Sequence, residues 1–444
     1  MNAKILKTIM LILLLVCLCL QSNVSLALPS VQRTVLPNQL VLLVCEDHSL
    51  PFVTIQLLIP SGSNRDPSGE EGLSYLTAKG LILGTLKRNA TVINEELDFI
   101  GASLHSSSGR DYATLNIRVL KKDLEKGLDL FMEVLTQPTF PEEEVKREVQ
   151  KTLAAIQSAE DDPGDVAEKE FQKALFLGSP YAHPVEGTRE SLPRITRKAV
   201  LQFFKTYYHP SNSIFTIVGD ITSDEVKKIL LPTLISWPTV EIHKRPFQST
   251  FAKGPETVKI NRNITQANMI LGHQGVSREN PDYYALTVMN YILGGGGFSS
   301  RLVEEIRVKR GLAYSVGSFF DVGKYLGSFQ IVLQTKNESA KEAITLSLQE
   351  MERIQKNLVL EKDLERTKRY LIGSFPMRLN TQGKLANFFT QVEYYGLGLD
   401  YPEKYPSFIQ SISREDVLRV AQKYLHPKNA ILVIVANLKE AGME

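Results

Sequence analysis

Residues 195–220, ITRKAVLQFFKTYYHPSNSIFTIVGD, can be laid without a gap on residues 412–437, ISREDVLRVAQKYLHPKNAILVIVAN, at an offset of 217 positions. Ile195, Arg197, Val200, Leu201, Tyr207, His209, Pro210, Asn212, Ile214, Ile217 and Val218 each meet an identical residue, which shared composition rarely produces in so short a window. Both copies read as a helix, a Y-x-H-P-x-N turn and a buried strand. The chain is therefore a tandem duplication, and its fold must be one that a half-length unit can build twice. His209 and His426 fall at equivalent turns before Pro, so capping the turn is their expected role, ahead of metal binding.

At 444 residues the chain is too long for a single core. In the first half, strand-like runs at 40–45, 53–59 and 113–119 alternate with helical patterns at about 71–83, 92–100, 122–135 and 141–157. In the second, strands at 258–261, 267–273 and 328–334 alternate with helices at about 281–293, 301–309, 339–356 and 361–373. That order predicts an α+β protein of two homologous halves, 28–235 and 255–444, each a largely antiparallel sheet with helices on one side. The join is 236–254, SWPTVEIHKRPFQSTFAKG, polar and interrupted by Pro as a linker should be.

Lys4 and Lys7 precede an apolar run at 9–20, and Ser25-Leu26-Ala27 offers small residues for a signal peptidase, so residues 1–27 read as an export signal. The run is shorter than the roughly 20 apolar residues of a membrane span, although retention as an anchor stays open. Val16 before Cys17 argues against a lipoprotein. Removing 1–27 takes away Cys17, Cys19 and two of the 51 basic residues, leaving 49 basic against 49 acidic residues. Such a balance gives no electrostatic case for nucleic acid or anionic lipid. Cys45 alone remains, in the apolar run LVLLVCE, as a buried strand residue that cannot form an intramolecular disulfide.

Within GLSYLTAKGLILGT at 72–85, Ser68 and Glu71 give a capping-box signal, and Leu73, Leu76, Gly80 and Leu83 fall near helical spacing. Tyr75, Ala78 and Lys79 then stand at i, i+3 and i+4 on one face, the geometry by which H-x-x-E-H brings two ligands and a base to one metal. Here the pattern is Y-x-x-A-K. Its frame, Gly-Leu at one end and Gly-Thr at the other, closely resembles the GLAHFLEHM...GT segment of the pitrilysin, insulinase and mitochondrial processing peptidase family, the inverted-motif zinc peptidases. In that family a third ligand, a Glu, follows about 76 residues on. The resemblance puts Ala155, in REVQKTLAAIQSAEDDP, at that place. Alanine offers no lone pair, a lysine amine is an ammonium near neutral pH, and a tyrosine ligates only as a phenolate, with a reference pKa of about 10. No zinc is expected on this chain.

The most specific match is ENPDYYALTVMNYILGGGGFSSRLVEEIRVKRGLAYSVGS at 279–318. A phosphate cradle at Gly294 to Gly297 would need a strand leading into the glycines, and a helix leads in instead. The resemblance implies that this block closes the active site from the second half, with Arg307 and Tyr314, intact in R-x-x-R-G-L-A-Y, contacting bound peptide and the oxygen that gains charge. It also implies a substrate-binding edge strand within 99–119, weakened by Gly109, and a structural role for His183 in SPYAHPVEGTRESL. Glu148 lies seven residues before Ala155, where the family often has a carboxylate supporting the zinc ligand; with no ligand to support here, it reads as a solvated helix-face residue. By the same resemblance the two halves face each other around a cavity, as a clamshell.

Three functions follow as expectations. The first is a non-catalytic subunit that supplies Arg307 and Tyr314 to a zinc-bearing homologous partner acting on peptides, exported to the periplasm, with no nucleic acid and no membrane span in the mature chain. The second is a binding or scaffolding protein with no part in hydrolysis. The third is a peptidase with other ligands, against which stands the scatter of His48, His105, His183, His243 and His273.

Overall fold

The computed structural model describes residues 30–239 and 254–444. The expected export signal with Cys17 and Cys19, and most of the linker with His243, lie outside the described residues. Six strands form one sheet: β1 (Val31–Val35), β2 (Val41–Glu46), β3 (Phe52–Ile59), β4 (Ser103–Ser108), β5 (Ala113–Leu120) and β6 (Ile214–Gly219), in the order β1-β2-β6-β3-β5-β4. Five form the other: β7 (Glu256–Asn261), β8 (Gln266–Gln274), β9 (Ala313–Val322), β10 (Gly327–Lys336) and β11 (Ile431–Ala436), in the order β7-β11-β8-β10-β9. Without β1 the two orders are the same path. Each sheet has one parallel pair, β2 with β6 and β7 with β11, and is otherwise antiparallel. The structure is thus α+β in two halves.

The repeat explains why these strands sit at the centre. IFTIVG of β6 and ILVIVA of β11 are buried at every residue, as strands covered on both faces must be. The helices before them, Arg197–Tyr207 and Arg414–Tyr424, begin at equivalent caps. Thr196 accepts from the Ala199 amide, and Ser413 forms a reciprocal capping box with Asp416. At the turn between, the Asn212 side chain donates to the Tyr207 carbonyl at 3.3 Å and the Ser213 hydroxyl to the His209 carbonyl at 2.7 Å. His209 hydrogen-bonds back to Lys205, a turn-holding role. Cys45 is buried in β2, and the loss of water there pushes its thiol up to about 12.

What local patterning does not reveal is how the second face of each sheet is covered. The helix Pro163–Leu175, from the first half, packs across β8 and β11 of the second sheet, where Phe171 joins a buried cluster with Ile270, Ile431 and Val433. Gly272 makes room for it, since a Cβ there would stand 2.6 Å from Phe171 Cζ. Reciprocally, the helix Gln382–Tyr394 of the second half packs across β3 and β6 of the first sheet. There the buried Thr390 hydroxyl donates to Thr216 Oγ1 at 2.7 Å, and Gln56 Nε2 donates to Asn387 at 3.2 Å. Helices therefore cover both sides of each sheet, one side from its own half and the other from its counterpart.

A second tie joins the turn between β4 and β5 to the turn between β9 and β10. The carboxylate of Asp111, 7% exposed, accepts from Asn64 and Tyr181 of the first half and from the Lys324 amide of the second, the last at 2.7 Å. Beside it Arg110 pairs with Asp321 at 2.8 Å.

The expected helix at 71–83 runs over Leu73–Gly80. The chain enters it through Gly72 at φ +97°, so Ser68 lies too far upstream to cap it, and Glu71 accepts instead from the Gly69 amide. Asp66 takes the capping role, accepting from the Gly72 and Ser74 amides at 2.8 and 2.7 Å. Loss of water around this carboxylate raises it from its ordinary 3.8 to about 7, while the two amides draw it down. The helix stops at Gly80 because Gly84, at φ +153°, turns the chain into a short bridge with Asn89.

Phe171→Ala should destabilise the protein by about 3–5 kcal/mol, as loss of a fully packed Phe does, in urea unfolding followed by circular dichroism. Because the folded Asp66 carboxyl binds its proton more tightly than the unfolded one, the stability it contributes is full below about pH 4 and is lost as pH rises through about 7. Urea midpoints should therefore fall across that window, and the part of the fall that Asp66 causes should vanish in Asp66→Asn.

Candidate functional site

The helix Leu73–Gly80 buries Leu73, Leu76, Ala78 and Gly80 in the core of the first half. A Cβ at Gly80 would stand 2.6 Å from Phe140 Cδ1, so only glycine fits under that ring. At its start the helix meets the loop that carries His183. Gly187, at φ +88°, brings the backbones so close that a Cβ would lie 2.3 Å from the Glu71 carbonyl, and the Ser191 hydroxyl donates to that carbonyl at 2.6 Å. His183 bonds to the Pro184 carbonyl at 2.9 Å.

Tyr75 and Lys79 are half-buried, with Lys79 Nζ 5.6 Å from the centre of the Tyr75 ring, while Ala78 is fully enclosed. Opposite lies the helix Glu142–Ala159. Loss of water, then the Glu148 and Glu186 carboxylates, raise the Tyr75 phenol above its ordinary range, and a hydrogen bond with Thr152 works the other way. Glu148 is thus not the solvated residue expected from its position. Its side chain is 15% exposed, close enough to Tyr75 to act on it and 3.6 Å from Lys151. Ala155 is exposed and lies seven residues on from Glu148, on the same helical stripe.

This donor set does not fit a zinc ion. Ala78 and Ala155 have no lone pair, Lys79 lies against an aromatic ring, and the environment of Tyr75 disfavours the phenolate that could ligate. Among the described residues no group of three or more His, Cys, Asp or Glu is placed to hold a metal ion. Two of the scattered histidines are engaged elsewhere: His48 pairs with Asp220 at 2.6 Å, and His273 Nε2 accepts from the His426 amide at 3.1 Å.

In the second half the helix Tyr283–Asn290 runs into a wide turn at Tyr291–Gly295 and then the glycines. Their role is close packing. A Cβ at Gly294 would stand 2.4 Å from Ser318 Oγ and one at Gly296 2.6 Å from the Tyr291 carbonyl. Asn290 and Ser318 bond to each other across this contact, by Nδ2 to the Ser318 carbonyl at 3.0 Å and by Oγ to Oδ1 at 2.7 Å. Arg307, in the wide helical turn Val303–Val308, is exposed with its guanidinium 4.9 Å from the Phe298 ring centre. Tyr314 opens β9 and is 71% exposed. Among the described residues no hydrogen bond or ion pair joins Arg307 or Tyr314 to the other, or either to the Tyr75–Lys79 face.

The edge position expected within 99–119 belongs to β4, paired only with β5. Gly109 lies after β4, in the turn, where its amide donates to the Tyr112 carbonyl at 2.8 Å, so it does not interrupt the strand. Thr152 and Glu186, which shape the surroundings of Tyr75, carry no signal in the sequence beyond ordinary helix and loop composition. Among the described residues no helix is long and apolar enough to cross a membrane.

The family model described as Insulinase (Peptidase family M16) matches residues 41–189, and the one described as Peptidase M16 inactive domain matches 194–371. The chain is similar to a zinc protease of Rickettsia bellii, 28% identical over 396 residues that span 88% of this chain and 94% of that one. It is also similar to the non-peptidase homologue YmxG of Helicobacter pylori, 26% identical over 399 residues, 89% of this chain and 91% of that one. Among solved structures, the peptidase M16 inactive domain from Pseudomonas fluorescens superposes with a TM-score of 0.86 at 29% identity, covering 92% of this chain and 98% of its own. Motif frame, paired sheets and family models agree, and the chain belongs to the insulinase family, peptidase family M16.

Proposed function

We propose that this chain is the zinc-less subunit of a two-subunit peptidase, and that it presents Arg307 and Tyr314 to peptide held by a homologous partner with an intact H-x-x-E-H. The observation that carries this reading is the contrast between two faces. The Tyr75–Lys79 face has been refilled by groups that cannot bind a metal, whereas Arg307 and Tyr314 stand exposed with donors free of any protein acceptor among the described residues. A guanidinium is permanently charged and a phenol donates one hydrogen bond, so both suit an oxygen that gains negative charge, where a preorganised donor is worth about 3–4 kcal/mol. Zinc on this reading belongs to the partner alone. Export rests on residues 1–27.

A scaffolding role is the second reading, favoured by the name of the Helicobacter pylori relative as a non-peptidase homologue. The two separate in one experiment. The purified chain alone should cleave no peptide and carry no stoichiometric zinc by mass spectrometry. Mixed with a homologue from the same source that bears H-x-x-E-H, it should raise peptide turnover, and Arg307→Ala or Tyr314→Phe should lower kcat about 10²-fold or more. Turnover indifferent to both substitutions favours scaffolding. Zinc and turnover in the isolated chain overturn both readings.

A further inference from the structure

A cavity of about 440 Å³ opens in the second half, bounded by Arg278, Tyr283, Arg378, Lys384, Phe388 and Tyr401 among others. That volume is ample for a small molecule. No Asp or Glu lines it, and among the described residues none of its three cations forms an ion pair. Arg278 is the telling one. It is only 9% exposed, and its guanidinium lies 3.7 Å from the centre of the Tyr283 ring and 5.8 Å from that of Tyr401. One nitrogen donates to the Tyr401 hydroxyl at 3.2 Å, the one side-chain hydrogen bond it makes among the described residues, although a guanidinium has five N–H groups to satisfy. The rings offset part of the loss of water but supply no counter-charge.

Two enclosed cations elsewhere in the fold are paired. Arg88 meets Glu96, Asp129 and Glu133, and Lys368, 8% exposed on its side chain, meets Glu365 at 3.1 Å. At the cavity the pattern changes. Lys384 Nζ has only neutral acceptors, the Met377 carbonyl and Asn380 Oδ1, both at 3.0 Å, and Arg378 lies against the Phe375 and Tyr405 rings. Asn387 Oδ1 is taken by Gln56 and Gln391, which leaves its amide hydrogens as further donors at the wall. Three cations share one concavity, and the buried one, Arg278, is desolvated without an anion, an arrangement that an anionic ligand relieves. The aromatic side chains give that ligand flat apolar walls.

We propose that this cavity binds a small organic anion, a carboxylate or phosphate carried on an aromatic body, with the charged group on Arg278 and the ring between Tyr283, Phe388 and Tyr401. The site shares no residue with the Tyr75–Lys79 face or with Arg307 and Tyr314, so it holds whether or not the chain joins a peptidase.

Isothermal titration calorimetry of the full chain with phenyl phosphate, benzoate, inorganic phosphate and phenol tests this. Phenyl phosphate or benzoate should bind saturably at one site, and which of the two binds tighter identifies the anion. Inorganic phosphate should bind more weakly and phenol not at all. Arg278→Gln should abolish binding. Should that variant fail to fold, as checked by circular dichroism, the exposed pair Arg378→Gln and Lys384→Gln decides, and should weaken binding about tenfold or more, the worth of one charge-assisted hydrogen bond. No saturable heat with either organic anion, or affinity unchanged in the double variant, overturns the site. Equal affinity for inorganic and phenyl phosphate overturns the aromatic body.

Discussion

A sheet has two faces, and in this protein neither half covers both of its own. The requirement that β3, β6, β8 and β11 be buried on each side is met by exchange, with Pro163–Leu175 given to the second sheet and Gln382–Tyr394 to the first. Fit at the exchange is specific. Gly272 leaves the notch that Phe171 fills, and Thr216 is the small polar partner of Thr390 beside the Gln56–Asn387 hydrogen bond. The Asp111–Lys324 and Arg110–Asp321 contacts add a second, polar tie between the halves. Packing and polar tie together make them one folded body.

The parts of the fold legible in the sequence are those fixed by neighbours along the chain. The duplicated helix, turn and strand were readable because identity at eleven positions in a short window fixes both copies at once, and the strands at β2, β3, β5, β8 and β10 because their apolar runs are continuous or alternate cleanly. The exchanged helices, Pro163–Leu175 and Gln382–Tyr394, were not among those expected, and an amphipathic pattern would in any case say that a helix has an apolar face and nothing about which sheet receives it. β9 was missed for a related reason. As an edge strand in AYSVGSFFDV it carries Gly317 and exposed aromatic residues, and its alternation is blurred.

At the site the sequence was strong on chemistry and weak on surroundings. That Tyr75, Ala78 and Lys79 stand where H-x-x-E-H would follows from the resemblance of the frame around them to the family segment, and that they cannot do its work follows from residue type. The cap was misread because Ser68 and Glu71 have the right spacing while Gly72 sets the helix start beyond their reach, and Asp66, six residues earlier than the amide it accepts from, belongs to no local pattern. Glu148 was taken as solvated because no zinc ligand is left for it to support. Its partial burial, with an electrostatic effect on Tyr75 of another element, depends on packing that no local pattern shows.

Asp111 has a mechanical consequence. Its Asn64 and Tyr181 partners come from its own half of the sequence, and only the Lys324 amide belongs to the opposite half. A carboxylate already stripped of water recovers hydration only when it is withdrawn completely, so small separations of the two turns lose a hydrogen bond and gain nothing. Relative motion of the halves is thereby biased to swivel about this pin instead of gaping at it.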